Sequence, residues 1–293
     1  MTSKKIAQQR SKKKQARAKM VEVKKLAKQA KRLEVEAEKN RHKAMTARMG
    51  IPNLLDRSVP VGRDESGNVE LRKVGKKPRF GFKPRNHVEI AEGLGLADFA
   101  RGAKIAGAGF YYLKNELVRL DYALQKFAID FLTKKGYTLI EPPYMIRRRP
   151  YEGVTDLSDF ELVTYKVDGE DAYLIATSEH PMGAMFMEEV LERKDLPIKL
   201  CGVSTCFRKE IGTHGKYTKG LFRVHQFNKI EQFIFCHPED SWRLHEELQK
   251  NSEELYKKLG LHYRVVNICT GDIGTLATKK YDIEVWMADG EYR

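Results

Sequence analysis

Cysteine is scarce: Cys201, Cys206, Cys236 and Cys269 are the four in 293 residues. They form no CxxC pair and no dense framework, which excludes a disulfide scaffold and suits a reducing cytoplasm with buried or inert thiols. Long apolar runs are also missing. No window approaches ~18 consecutive apolar residues, so no membrane span is expected. The N-terminus lacks the apolar stretch of a secretory signal. A mitochondrial presequence is not expected either, because the basic start is neither Ser-rich nor Arg-biased. Proline and glycine are absent from residues 3–48. Acidic residues are few there too: residues 1–49 hold 17 Lys and Arg against 4 Asp and Glu, whereas the other 244 hold 37 against 36. Nearly all of the net charge of +14 therefore sits in the first 49 residues.

What is present is a near-neutral body behind a strongly basic arm. The arm is rich in Ala, Lys, Gln, Arg and Glu, a helix-forming composition. A thin apolar seam runs through Val23, Leu26, Ala30, Leu33, Ala37 and Ala44, with polar Asn40 interrupting it. Its steps of three and four residues suit one partner helix but are too narrow to bury a core. Such an arm favours a polyanion, nucleic acid being the commonest; the plainer alternative is a solvated helix whose lysines maintain solubility. Gly50 and Pro52 end it. Residues 50–87 hold four prolines and read as an extended linker running onto the next domain.

Helical patterning is expected over Val88–Gly95, Leu96–Ile105 and Leu113–Lys135, the last capped by Gly136, with a short strand at Tyr137–Ile140. Beyond residue 160 the expected strands are Tyr173–Ala176, Ile198–Glu210, Leu221–Phe235, Tyr263–Asn267 and Tyr281–Trp286. Helices are expected over Pro181–Arg193 and Pro238–Leu259. Antiparallel pairing with flanking helices predicts an α+β fold.

Chemistry concentrates in Phe207-Arg208-Lys209-Glu210, a loop with Gly212, Gly215 and Gly220, and the stretch Phe222 to Glu231. Side chains alternate along a strand, so Arg208 and Glu210 are expected on one face. Arg223, His225, Phe227, Lys229 and Glu231 are expected on one face of the return strand, with Phe233 and Phe235 in register. An aromatic ring between cations and carboxylates suits a nucleotide, the ring stacking on the base and the cations holding phosphates. A solvent-exposed charged face is the alternative. Thr177-Ser178-Glu179-His180-Pro181 forms a second polar cluster where a strand meets a helix. It reads equally well as a helix cap or as a ligand site.

These segments resemble the class II aminoacyl-tRNA synthetases, in the form found in seryl-tRNA synthetases. Residues 207–231 resemble motif 2, and Thr177-Ser178-Glu179 resembles the serine-binding Thr-x-Glu element. Leu113 to Pro143 resembles motif 1, which builds the homodimer interface. Ile51-Pro52-Asn53 with Ser58-Val59-Pro60-Val61-Gly62 is similar to the joint after the tRNA-binding arm. The resemblance implies an antiparallel catalytic sheet flanked by helices and preceded by half of a coiled-coil arm: a basic helix over 1–49, a linker and domain start over 50–110, and the catalytic core over 111–293.

The resemblance further implies serine–tRNA ligase activity: seryl-adenylate is formed from L-serine and ATP, and serine then passes to tRNA(Ser), and to tRNA(Sec) as well. It assigns Arg208 and Lys229 to catalysis. Thr177, Ser178, Glu179, Arg208 and Glu231 are assigned to serine, and Arg208, Lys209, Glu210, Arg223, Val224, His225 and Phe227 to ATP. Mg²⁺ is expected with ATP, tRNA on the basic helix, a homodimer through residues 113–143, and a cytoplasmic location. The family's metal-binding Glu and its motif 3 are expected beyond Arg293, and the arm's first helix is not in the sequence, so a fragment of a longer product is expected. The alternatives are a non-catalytic RNA-binding paralogue and a ligase that charges a carrier protein; the arm argues against the latter.

Overall fold

A computed structural model describes residues 3–155, 160–210 and 220–293, so Gly212 and Gly215 of the expected loop lie outside the described residues. The chain divides into two compact units, residues 1–52 and 53–293. The stretch expected to be linker and domain start therefore belongs, from Asn53 on, to the same unit as residues 111–293.

The first unit is one helix, α1 (Ser3–Met49). It ends where the Gly50 N–H bonds Thr46 O at 3.2 Å and Pro52 follows. Its described side chains between Lys12 and Arg48 are all exposed. Val23, Leu26 and Leu33 are each more than half accessible, so the apolar seam exists but is not buried.

The second unit runs β1 (Val69–Val74), α2 (His87–Gly93), β2 (Ala97–Asp98), α3 (Phe99–Ala106), β3 (Tyr112–Leu113), α4 (Glu116–Lys134), β4 (Thr138–Ile140), β5 (Met145–Ile146), α5 (Arg148–Glu152), α6 (Phe160–Val163), β6 (Tyr173–Leu174), α7 (Glu179–Gly183), β7 (Ile198–Phe207), β8 (Gln226–Phe235), α8 (Ser241–Lys258), β9 (Tyr263–Asn267) and β10 (Tyr281–Val285). Two three-stranded sheets organise it, in orders β4-β7-β8 and β1-β9-β10. The α+β class holds.

The sheet β4-β7-β8 positions the chemistry. β7 pairs antiparallel with β8 over ten residues, from Ile198 opposite Phe235 to Phe207 opposite Gln226. β4 joins its other edge in parallel. Alternation gives the hairpin two faces. One carries Cys201, Ile230 and Ile234, which pack with Phe131 and Leu132 of α4, Tyr137, and Leu248 and Leu255 of α8. Fully burying each large apolar side chain there contributes roughly 1.5–3 kcal/mol. The helix α4 stops in a Schellman arrangement: Gly136 N–H bonds Thr133 O at 3.0 Å and Tyr137 N–H bonds Leu132 O at 3.2 Å.

The second sheet buries Val266 of β9 with Val59, Ile268 and Ile273. Its edge strand β1 lies in the stretch expected to be linker. Every residue of Val69–Lys73 is exposed, so charge hides its pairing signal, and only the ladder to β9 defines it.

Elsewhere three expectations are corrected. Between the two helices expected over Val88–Ile105, Ala97 and Asp98 form β2, and the Asp98 side chain caps α3 by accepting from Arg101 N–H at 2.9 Å. The helix expected over Pro181–Arg193 is only α7, because Phe186 turns edge-on to Phe235 at 5.0 Å and Glu188 takes φ +65° while paired with Arg149. The hairpin strands are shorter than expected. The ladder ends at Phe207 and resumes at Gln226, and Glu210 adopts φ +47°. Strict alternation therefore does not extend to Glu210.

Candidate active site

The other face of the hairpin carries Gly202, Ser204 and Cys206 on β7, directly opposite Glu231, Lys229 and Phe227 on β8. Onto the small residues descends the turn Thr177–Glu179. A Cβ on Gly202 would lie 2.8 Å from both Met182 Sδ and Cε and 3.1 Å from Ser178 Oγ, so a larger residue here must push the end of the Met182 side chain aside and crowd Ser178. The Ser178 amide bonds the Cys206 thiol, which is fully buried and whose pKa burial pushes up. Beneath the turn, Ala176 N–H donates to Tyr151 Oη at 3.2 Å. Tyr151 is fully buried in a cluster with Ile146, Tyr173 and Ile175, and desolvation raises its pKa to about 12.

This packing brings the expected side chains together. Lys229 Nζ donates to Thr177 Oγ1 at 3.0 Å and pairs with Glu231. Thr177 Oγ1 lies 3.3 Å from Glu231 Oε2 and accepts the Glu179 N–H at 3.2 Å. Thr177 thus serves both readings of its segment, turn cap and member of a polar cluster. Ser178, expected as a cap or ligand-binding residue, makes no side-chain cap bond; its Oγ is buried and unpartnered. Glu179 is exposed, yet desolvation and then the negative charge of Glu231 raise its pKa, partly offset by Lys229 and Arg208.

Arg208 Nε donates to Ala176 O at 3.2 Å, and its guanidinium sits 5.1 Å from the Phe227 ring centroid. The two lie on the same side of the sheet, a cation over an aromatic face. Arg223 Nη1 donates to Glu210 Oε2 at 2.7 Å. Val224 is buried. The Lys209 N–H bonds Val163 O at 3.0 Å and its ammonium lies 5.9 Å from the Tyr165 ring. The His225 imidazole is engaged by Tyr165 and Phe110.

Sequence reasoning placed His180 in the Thr177–Pro181 cluster without giving it a role, and missed Tyr151, Tyr165 and Gly109 beneath and beside this face. His180 follows the Thr-Ser-Glu turn, and burial, then Lys229 and Arg208, lower its pKa to about 4. Its Nδ1 is buried without a partner, and its ring lies 4.7 Å from Tyr151. Tyr151, Tyr165 and Gly109 stand far from the hairpin in sequence, and no local pattern links them to it. Among the described residues no group of three or more His, Cys, Asp or Glu could hold a metal ion. No helix of the described residues is long and apolar enough to cross a membrane.

Residues 163–292 match the class II tRNA synthetase core domain shared by the G, H, P, S and T enzymes. The serine–tRNA ligase of Methanocella arvoryzae is 57% identical over 97% of the chain and 67% of its own length. That of Methanoregula boonei is 63% identical over 83% of the chain and 57% of its own length. A crystal structure of seryl-tRNA synthetase from Pyrococcus horikoshii complexed with ATP superposes with a TM-score of 0.85 at 50% identity, covering 89% of the chain and 63% of that protein. The chain thus spans between about half and two thirds of the length of these relatives.

Proposed function

Because the chain belongs to the seryl-tRNA synthetase family of class II synthetases, we propose that it activates L-serine with ATP and transfers the seryl group to tRNA(Ser), and to tRNA(Sec) as well. The observation that carries this reading is the Arg208–Phe227 pair at 5.1 Å beside the Thr177–Lys229–Glu231 cluster. It sets a stacking surface and a planar cation next to acceptors for an ammonium and a hydroxyl.

The chemistry follows from charge. Attack of a carboxylate on an α-phosphate brings like charges together, at about 4 kcal/mol per unit pair at ~4 Å and an effective dielectric near 20. Arg208, a permanently charged fork, spans the serine carboxylate and the α-phosphate, and Lys229 assists the carboxylate. Phe227 stacks on adenine and the Val224 backbone contacts the base. Glu210 accepts from the adenine amino group while Arg223 reaches the terminal phosphates, with Lys209 and His225 at the same edge. The Glu210–Arg223 ion pair holds both side chains there. Thr177 and Glu231 read the serine ammonium and hydroxyl, Ser178 lines that subsite, and Glu179 adds negative charge. An unpaired acceptor would reject alanine. Mg²⁺ accompanies ATP, and none of these residues is assigned to it.

The basic α1 suits the tRNA backbone, with 17 cationic residues against 4 acidic ones over residues 1–49. Leu120 and Leu124, one turn apart on α4, are exposed, as is Leu139 of β4, and this region supplies the homodimer surface. Four free cysteines suit the cytoplasm.

Serine-dependent ATP–pyrophosphate exchange by the complete product of the reading frame tests the proposal. Arg208→Ala should abolish exchange and leave tRNA binding nearly intact. Equal loss of both in a folded variant counts against the role of Arg208. Absence of exchange in the wild type with tRNA binding retained favours the non-catalytic paralogue.

A further inference from the structure

The return strand enters the site through Val224–Gln226, and His225 is tied there on four sides. Its N–H donates to Gly109 O at 3.1 Å, and its carbonyl accepts the Arg208 N–H at 3.0 Å. Its Nδ1 lies 2.5 Å from Tyr165 Oη. Its ring stacks on Phe110 with centroids 5.2 Å apart and planes 13° from parallel. One residue further, Gln226 O accepts from Tyr111 Oη at 3.2 Å.

Gly109 makes the fit possible. Its φ is +84°, and a Cβ there would fall 2.3 Å from His225 Cδ2. Tyr165 is itself fixed: its carbonyl accepts the Leu174 N–H at 2.8 Å, and two residues earlier Val163 O accepts the Lys209 N–H at 3.0 Å. The phenol therefore sits between the outgoing segment Arg208–Lys209 and the returning residue His225. Beyond Phe207 and before Gln226 the sheet ladder has ended. The Arg208 N–H to His225 O bond continues the register of Phe207 opposite Gln226 by one rung, and the contacts of His225 hold that last rung in place.

We propose that Tyr165 and His225 form a positioning pair for Arg208: the Tyr165 hydroxyl fixes the His225 imidazole against Phe110, and the His225 carbonyl fixes the Arg208 backbone, so that the guanidinium stays over Phe227. The imidazole is then held by Tyr165 and Phe110 at the edge where ATP is proposed to bind. Desolvation raises the Tyr165 pKa, which keeps the phenol protonated at neutral pH and able to donate to Nδ1. The consequence is kinetic, because a small misplacement of a charged group aimed at a transition state costs far more rate than binding.

This inference rests on the proposed ligase reading for its kinetic test and on the fold alone for a second test. In serine-dependent exchange, Tyr165→Phe should lower kcat about tenfold to hundredfold and change the KM for ATP by less than about threefold. His225→Ala should behave alike. His225→Asn, whose Oδ1 replaces Nδ1 as acceptor, should recover to within about threefold of wild type. Hydrogen exchange at the Arg208 amide should speed up about tenfold or more in Tyr165→Phe, while the amides of β9 keep their protection. Wild-type kcat together with wild-type protection at Arg208 in Tyr165→Phe overturns the pairing. If the wild-type protein shows no serine-dependent exchange, the ligase reading falls instead, and amide exchange at Arg208 alone decides whether the positioning pair stands.

Discussion

The strands β7 and β8 run side by side over ten residues and yet present opposite surfaces to the site. β7 offers Gly202, Ser204 and Cys206; β8 offers Glu231, Lys229 and Phe227 at the same three rungs. The small strand is a floor. It lets the Thr177–Glu179 turn sink until Ser178 is fully buried and Thr177 nearly so, which carries the Thr177 hydroxyl within reach of Lys229. The large strand supplies charge and ring. A cross-strand pair is usually valued for the contact between its members; here each pair works because one member has almost no side chain.

That contrast can be broken in four places. The largest effect is expected on β8. Lys229→Met removes the ammonium bonded to Thr177 and Glu231, and serine-dependent exchange should fall about 10²–10³-fold; a rate within threefold of wild type would show that the chemistry lies elsewhere. On β7, Gly202→Val should act on stability first, costing about 1–3 kcal/mol by overpacking Met182 and Ser178. Urea denaturation measures it, and an unchanged midpoint means the floor has slack.

The turn resting on that floor carries a pH signature. His180 has a folded pKa of about 4, against about 6.5 unfolded. Between these values the unfolded chain binds the proton and the folded chain does not, so stability is intact above pH ~6.5 and is lost as pH falls toward ~4. The loss attributable to His180 should be about 2 kcal/mol after allowance for its partial exposure. His180→Gln should flatten this slope in denaturation series at pH 7 and 4.5, and equal slopes would discard the assignment. The smallest effect is expected for Cys206→Ala, which deprives the Ser178 amide of its sulfur acceptor at about 1 kcal/mol. Cys206→Ser should recover part of it.

Much of this site was legible because β-strand alternation and a few polar clusters are local signals. Phe227, Lys229 and Glu231 share a face in the sequence and in the structure, and Phe233 and Phe235 continue it at 5.0 Å from each other. Tyr263–Asn267 was readable for the same reason. What escaped depends on distant partners. Val69–Val74 looks polar and becomes a strand only by pairing with β9. Helical composition continues past Gly183, but the Phe186–Phe235 contact and the Arg149–Glu188 pair outweigh local propensity. Arg208 and Glu210 were expected on one face, and the left-handed turn at Glu210, fixed by contacts rather than by composition, sends its carboxylate to Arg223 instead. Tyr165 lies 60 residues from the imidazole it touches.

The parallel pairing of β4 with β7 has a bearing on how the protein is made. Strands that run in the same direction need a long return path between them, and here that path, from Ile140 to Ile198, contains the Thr177 turn. On a ribosome, β4 emerges with no neighbour, Thr177 with no lysine to meet, and Arg208 with no ring to lie on. Gly109 and Glu231 appear on the order of ten seconds apart at synthesis rates of about 5–20 residues per second. From the synthesis of β4 until β7 follows it, the nascent chain shows the bare edge of β4 and the apolar side of α4, so this segment is where chaperones should bind it.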